Sequence, residues 1–171
     1  MSALERAQLI ALTEIVSPSL NGASAARLAR QLDEAGLEAT LRGETSPWFV
    51  DDDWVPAAIR GVTEERVDFW TGELDALSED GVKLVVITDD DYPTNLRLIV
   101  NRPPLIFVRG SISAVDDRAV AVVGTRDATA EGVQAARQLA GDLARRGITV
   151  ISGLAAGIDT AAQHTAHGVG Q

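Results

Sequence analysis

Two short glycine-containing segments carry the residues whose types and spacing suit the binding of an anion. Gly124-Thr125-Arg126 follows the apolar run at 120–123, and the segment 152–159 follows the apolar pair at 150–151. Turns that lead into helices present unpaired N–H groups and a partial positive charge, and a guanidinium donates two hydrogen bonds to one phosphate. We therefore predict a phosphate-binding site made of Gly124, Thr125, Arg126, Ser152, Gly153 and Gly157.

The elements around these segments would have to bring them together. A strongly helical stretch, residues 128–147, separates two short apolar runs that read as buried strands. This order predicts a βαβ unit, and Gly132 predicts a close approach between its helix and strand. If the two strands are parallel and adjacent, both glycine turns leave the same carboxyl edge of the sheet, where open α/β sheets bind ligands.

A structural interpretation of the same residues stays open at this point. The glycines could serve backbone geometry alone, and Arg126 could pair with an acid. Asp159 stands where a helix should begin, so its simplest role is to cap that helix. A carboxylate inside a phosphate site is otherwise unfavourable, unless it accepts a hydrogen bond from a base or a sugar.

Other chemistries find little support. The chain has no cysteine, which excludes disulfides and thiolate metal sites, and His164 and His167 lack nearby paired acids. Ser152 has a candidate base in His164 but no third group to orient it, and no Gly-Lys-Ser/Thr loop is present. The acidic run 51–53 is more typical of a solvated face than of a cation site. We predict no catalytic residue, no metal, no cofactor and no enzymatic activity.

The charge distribution is uneven along the chain. The formal net charge is −10, which by itself opposes nucleic acid as a partner. Residues 1–80 hold 16 acids and 6 bases, whereas residues 81–171 hold 9 of each. The excess of negative charge therefore belongs to the first half, and the half with the glycine turns is free to form a local positive pocket.

The hydrophobic pattern changes near residue 81. Helical spacing at 3–16, 24–37 and 63–77 predicts a compact helical domain over residues 1–80. Continuous apolar runs at 82–87 and 105–108 then predict buried strands of a parallel sheet within residues 81–171. The fold class is therefore α/β, with a small helical domain first.

Four ordered blocks resemble the DNA-processing DprA family, also called Smf. They are Tyr92-Pro93-x-x-Leu96, Pro103-Pro104-Leu105-Ile106-Phe107-Val108-Arg109-Gly110, Val122-Val123-Gly124-Thr125-Arg126 and Ser152-Gly153-Leu154-Ala155-x-Gly157-Ile158-Asp159. The resemblance implies an extended Rossmann-like domain that binds single-stranded DNA at the strand ends, after a sterile-alpha-motif-like or helix-hairpin-helix-like domain. It implies that Arg126 contacts DNA phosphate and that Ser152, Gly153 and Gly157 border the pocket.

The sequence also departs from the family pattern. Ala156 stands where the family has arginine or another large residue, and Gln163 stands where it has histidine. The sequence ends at 168–171, about where the family begins its third core strand, so we expect a fragment or a truncated relative with an incomplete sheet. An unpaired apolar strand edge would then favour aggregation or partner binding.

The resulting hypothesis is a non-enzymatic single-stranded DNA-binding protein of the DprA type. The resemblance implies loading of the RecA recombinase onto incoming DNA during natural transformation, and a homodimer where the complete Rossmann-like domain is present. No signal peptide or membrane span is visible, so we expect a cytoplasmic protein. The main alternative is a nucleotide sensor or nucleotide-processing enzyme on a phosphoribohydrolase-like scaffold, although the Pro-Gly-Gly-x-Gly-Thr loop of such enzymes is missing. A helical interaction module with a vestigial second half is the third possibility.

Overall fold

The computed structural model describes residues 1–17, 22–49 and 54–169, and it divides into two compact units. The first unit is Met1–Ile112 and the second is Ser113–Gln171. The sequence analysis placed its domain boundary at 80/81, before the first strand. The structure instead divides after Ile112, because the first strand contributes its apolar side chains to the same buried cluster as the first helices. The acidic run 51–53 lies outside the described residues.

The first unit is mainly helical, and side-chain hydroxyls cap the start of two of its described helices. Its helices are α1 Ala3–Val16, α2 Gly22–Ala35, α3 Leu37–Leu41, α4 Trp54–Gly61, α5 Glu64–Glu79 and α6 Thr94–Arg97, with a 3₁₀ turn at Pro47–Phe49. Ser2 and Glu5 form a capping box at the start of α1. Thr63 caps α5, because its hydroxyl accepts a hydrogen bond from the N–H of Arg66 at 3.3 Å. The helices predicted from residues 3 and 63 are confirmed.

Two strands of the first unit form an antiparallel pair. They are β1 Val82–Val86 and β2 Leu105–Arg109, with Val82 opposite Arg109 and Val86 opposite Leu105. The parallel sheet predicted from residue 81 is therefore wrong for these strands. Leu84, Val85 and Val86 are all buried, as expected of a strand covered on both faces. Continuous burial is equally compatible with an antiparallel strand enclosed by helices, and for that reason it could not reveal direction.

The second unit contains the predicted βαβ arrangement. Strand β3 Ala119–Ala121 pairs in parallel with β4 Thr149–Ile151, and helix α7 Ala130–Arg145 connects them. Helix α8 Ile158–Val169 follows β4 and packs against α7. The centre of this unit is a small cluster of Val122, Ala140 and Ala162. The mixed α/β class is confirmed, while the incomplete Rossmann-like sheet and the sterile-alpha-motif-like or helix-hairpin-helix-like first domain stay predictions.

Among the residues that the structure describes, no helix combines the length and the apolar composition that crossing a bilayer requires.

Candidate functional site

The two glycine turns lie side by side at one edge of the β3–β4 pair. The strands run in the same direction, and the N–H of Val122 donates to the carbonyl of Ile151 at 2.9 Å, which continues the pairing to the strand ends. Gly124-Thr125-Arg126 and the turn from Ser152 to Gly157 therefore leave the same carboxyl edge. This convergence was predicted from the sequence, and the parallel pairing confirms it.

A single carboxylate holds the two turns together. The N–H of Gly124 donates to Oδ1 of Asp159 at 3.0 Å, and the N–H of Gly153 donates to Oδ2 at 3.0 Å. The side chain is buried, with 5% of the residue exposed. The Gly124 N–H holds the pKa of Asp159 below its usual value; burial opposes this shift, and the N–H of Gly153 and the Ser152 hydroxyl add to it. The carboxylate thus stays ionised and is occupied by the protein's own backbone.

Gly124 and Gly157 allow the turns to approach more closely than other residues could. A Cβ at Gly124 would stand 2.7 Å from Cγ1 of Ile158, and one at Gly157 would stand 2.6 Å from the carbonyl oxygen of Arg126. Gly157 also has a φ of +85°, a left-handed conformation that favours glycine. By contrast, a Cβ at Gly132 would make only ordinary contacts, so the close approach predicted there occurs at Gly124 instead.

The hydroxyls of the two turns make internal hydrogen bonds. Ser152 Oγ donates to the carbonyl of Val122 at 2.7 Å, which joins the ends of the two strands. Thr125 Oγ1 accepts from the N–H of Asp127 at 3.2 Å and shapes the turn after Arg126. Ser152 is therefore directed at a backbone carbonyl and not at the imidazole of His164, which is exposed on α8. Both hydroxyls position the turns.

Arg126 is the residue of this edge that is left for an external anion. Its side chain is exposed, and no described residue forms an ion pair or hydrogen bond with its guanidinium. Within the described ranges, the backbone N–H groups of Thr125 and Arg126 have no hydrogen-bond acceptor either. The alternative in which Arg126 pairs with an acid is therefore not favoured. A phosphate placed over this turn would meet two amide donors and one guanidinium.

Two helix N-termini face the same edge. Helix α7 begins four residues after Arg126, where the Thr129 hydroxyl accepts from the N–H of Gly132 at 3.2 Å, and α8 begins directly after Gly157. The aligned peptide dipoles of both helices place partial positive charge beside Arg126. The edge is therefore suited to an anion even though the chain as a whole is acidic.

The sequence did not reveal the roles of Leu154, in the second turn, and of Asp159, which follows that turn. Asp159 was interpreted as a helix cap, whereas its carboxylate links Gly124, 35 positions earlier, to Gly153. Leu154 was not singled out, yet it is 76% exposed and has a φ of +56°. A left-handed conformation costs a residue with a Cβ about 1–2 kcal/mol. The signal in the sequence was a leucine directly after Gly153, where the turn begins, but the left-handed angle could not be read from it.

A family model described as DNA recombination-mediator protein A matches residues 83–170. The chain belongs to this family. The match begins in β1 and includes both glycine turns, so the resemblance seen in the four sequence blocks is confirmed.

Individual members of the DNA recombination-mediator protein A family align over part of the chain. The DNA processing protein DprA of Bacillus subtilis is 33% identical over 104 residues, covering 60% of this chain and 35% of that protein. DprA of Streptococcus pneumoniae is 38% identical over 80 residues, which are 47% and 28% of the two chains. Protein Smf of Escherichia coli is 34% identical over 90 residues, 53% and 24% of the two chains. The chain thus spans about a third or less of these relatives.

Proposed function

We propose that this member of the family binds single-stranded DNA without catalysing a reaction on it. The observation that carries the proposal is the exposed Arg126 guanidinium, free of partners among the described residues, on a turn that Asp159 ties to a second glycine turn. The names of the relatives, which are DNA processing proteins, support nucleic acid as the anion.

In this proposal the chain grips the DNA backbone at the edge of the β3–β4 pair. Arg126 donates two hydrogen bonds to one phosphate, and the N–H groups of Thr125 and Arg126 donate to the same or the next phosphate. Gly124, Gly153 and Gly157 let the two turns and the start of α8 pack closely, which holds these donors at one edge. Ser152 and Asp159 keep the two turns in register. Because phosphates are alike along the strand, this grip does not depend on the DNA sequence.

The local charge is compatible with this partner. Residues 113–171 carry five arginines and six acids, and one of those acids, Asp159, is buried against backbone amides. The repulsion expected from the net charge of −10 arises mainly in the first 80 residues. Electrostatic attraction therefore acts at short range, at the helix N-termini and Arg126, and salt weakens it.

We further propose a role in recombination, in which the DNA-bound protein loads the RecA recombinase in the cytoplasm during DNA uptake. The family description, a recombination mediator, supports this step. In this proposal, recombinase contact and a homodimer require more of the protein than this chain, which matches about a third or less of the length of these relatives. Both are therefore proposed as properties of the complete Rossmann-like protein.

Binding of a labelled oligothymidylate, followed by fluorescence anisotropy, tests the proposal. Arg126→Ala should weaken binding about tenfold and reduce the slope of log K against log salt by about 0.7, the loss of one phosphate contact. Arg146→Ala is the matched control, since Arg146 is exposed at the opposite end of α7. Circular dichroism confirms that each variant is folded.

Two results would overturn the proposal. One is equal binding by the parent and Arg126→Ala; the other is an equal loss in Arg146→Ala, which would indicate only a general charge effect. A thymidine mononucleotide serves as competitor in the same experiment. If it binds as tightly as the oligomer, the pocket is that of a nucleotide sensor or enzyme and not that of a DNA-binding protein.

A further inference from the structure

Leu154 is an exposed apolar side chain in the middle of the candidate DNA site. It is 76% exposed, and it is the non-glycine residue of the described ranges with a positive φ, +56°. It directly follows Gly153, whose N–H is bonded to Asp159. The turn thus projects a leucine toward solvent at the edge where the phosphate grip is proposed.

The position of Leu154 is held from both sides. On one side, Asp159 fixes the N–H of Gly153 at 3.0 Å. On the other, the carbonyl of Ala155 accepts from the N–H of Thr160 at 3.1 Å and from its hydroxyl at 2.6 Å. With both neighbours bonded to α8, the backbone of Leu154 has little freedom to turn its side chain into the protein. The exposure is therefore a property of a braced turn and not of a loose loop.

The surroundings of Leu154 indicate which ligand it would contact. The adjacent turn offers Arg126 and two N–H groups that have no acceptor among the described residues, which suit phosphate, while the side chain of Leu154 is hydrocarbon. A single DNA strand has both surfaces, because its phosphates are charged and its unpaired bases expose apolar faces. In a duplex those faces are stacked and paired. A leucine beside a phosphate grip matches a strand whose bases are available.

We propose that Leu154 packs against a nucleobase of the bound single strand, and this inference rests on the proposed function. Leu154 then adds affinity for exposed bases to a site whose other proposed contacts are made only to the DNA backbone. A leucine side chain contacts the face of any base, so the added affinity does not select a sequence. Preference for single-stranded over duplex DNA follows, since the contact requires an unstacked base.

Comparing a normal with a base-free strand tests the contact directly. The probes are a labelled oligothymidylate and an abasic oligomer of the same length and charge, each titrated with the full chain. Leu154→Asn removes the apolar surface, and asparagine tolerates the left-handed conformation. This variant should bind oligothymidylate about fivefold to tenfold more weakly and bind the abasic oligomer as the parent does.

Two further variants complete the experiment. Leu154→Met keeps an apolar side chain and should retain most of the affinity for oligothymidylate. Ile151→Thr is the matched control, because Ile151 is 51% exposed on β4 but precedes the turn, and it should change neither affinity. Thermal melting of each variant confirms that it is folded.

The possible outcomes separate this inference from the function on which it rests. If Leu154→Asn weakens the binding of both probes equally, Leu154 supports the turn and the proposed base contact is wrong. If the variant weakens the binding of neither probe, the proposed contact is also wrong. With either result, the proposal that the chain binds DNA still holds if Arg126→Ala weakens the binding of both probes. If Arg126→Ala changes neither probe, the proposed phosphate grip itself fails.

Discussion

Asp159 accepts a hydrogen bond from the backbone N–H of Gly124, 35 positions earlier in the chain, at 3.0 Å. Its second oxygen accepts from Gly153 at the same distance, so one buried carboxylate spans the ends of both strands. The site is therefore braced by a negative charge although its proposed ligand is an anion. The arrangement is favourable because hydrogen bonds from backbone amides stabilise the charge of Asp159 and leave Arg126 to the ligand.

Asp159→Asn should loosen both turns. The substitution preserves shape but replaces one oxygen with an NH₂ group, which then faces a backbone N–H and cannot accept from it. We expect the Tm to fall by roughly 5 °C or more. Asp142→Asn is the control, since Asp142 forms only a surface pair with Arg145 and should shift the Tm far less. Equal shifts in the two variants, measured by thermal melting, would contradict the bracing role.

The contribution of Asp159 to stability should depend on pH in a defined direction. Its pKa is lowered in the folded state, chiefly by the N–H of Gly124, so the stabilisation is complete above the unfolded pKa of about 3.8. It is lost as the pH falls through the lower, folded pKa. The difference in Tm between the parent and Asp159→Asn should therefore be constant above about pH 5 and shrink below 3.8. A difference that stays the same at acid pH would show that the charge of Asp159 is not what matters.

Gly157→Ala should lower the free energy of unfolding much more than alanine at another glycine with a left-handed conformation. At Gly157 a Cβ would overlap the carbonyl oxygens of Thr125 and Arg126, whereas at Gly147, with a φ of +67°, it would meet nothing within 4 Å. Gly147→Ala should therefore cost about 1–2 kcal/mol from backbone strain alone. Gly157→Ala should cost about 3 kcal/mol or more, because steric overlap adds to the strain. The free energy of unfolding in urea measures both, and similar values would mean that the turns relax apart without penalty.

The elements of the second unit were largely predictable from local pattern. The helix expected over 128–147 is α7, Ala130–Arg145, and the apolar runs around it are parallel strands, as the βαβ order required. Periodicity and capping act over a few residues, so sequence reveals them directly. The first unit was less predictable: the run 82–87 showed burial but not that β1 pairs antiparallel with β2. Strand direction depends on partners that local pattern does not identify.

The candidate site shows the same division. Its six predicted residues were found from residue type, and their role in binding DNA stays a prediction. The helix at 158 was expected, but the link from Asp159 to Gly124 and Gly153 was not, because a buried carboxylate is satisfied by whichever amides the fold brings near it. The left-handed backbone conformation of Leu154 could not be predicted from the sequence for a similar reason. Its backbone angle is imposed by bonds to its neighbours and not by its own preference.

The sequence by itself determined the family, the positions of the glycine turns and the arginine of the first turn. These features depend on the residue types and their order, both of which can be read from the sequence. Only the tertiary structure decided that Arg126 has no partner within the described ranges and that Leu154 is exposed. It also decided that Asp159 accepts hydrogen bonds from the backbone of both turns. Those properties depend on distances between residues far apart in the chain, and chain folding alone sets such distances.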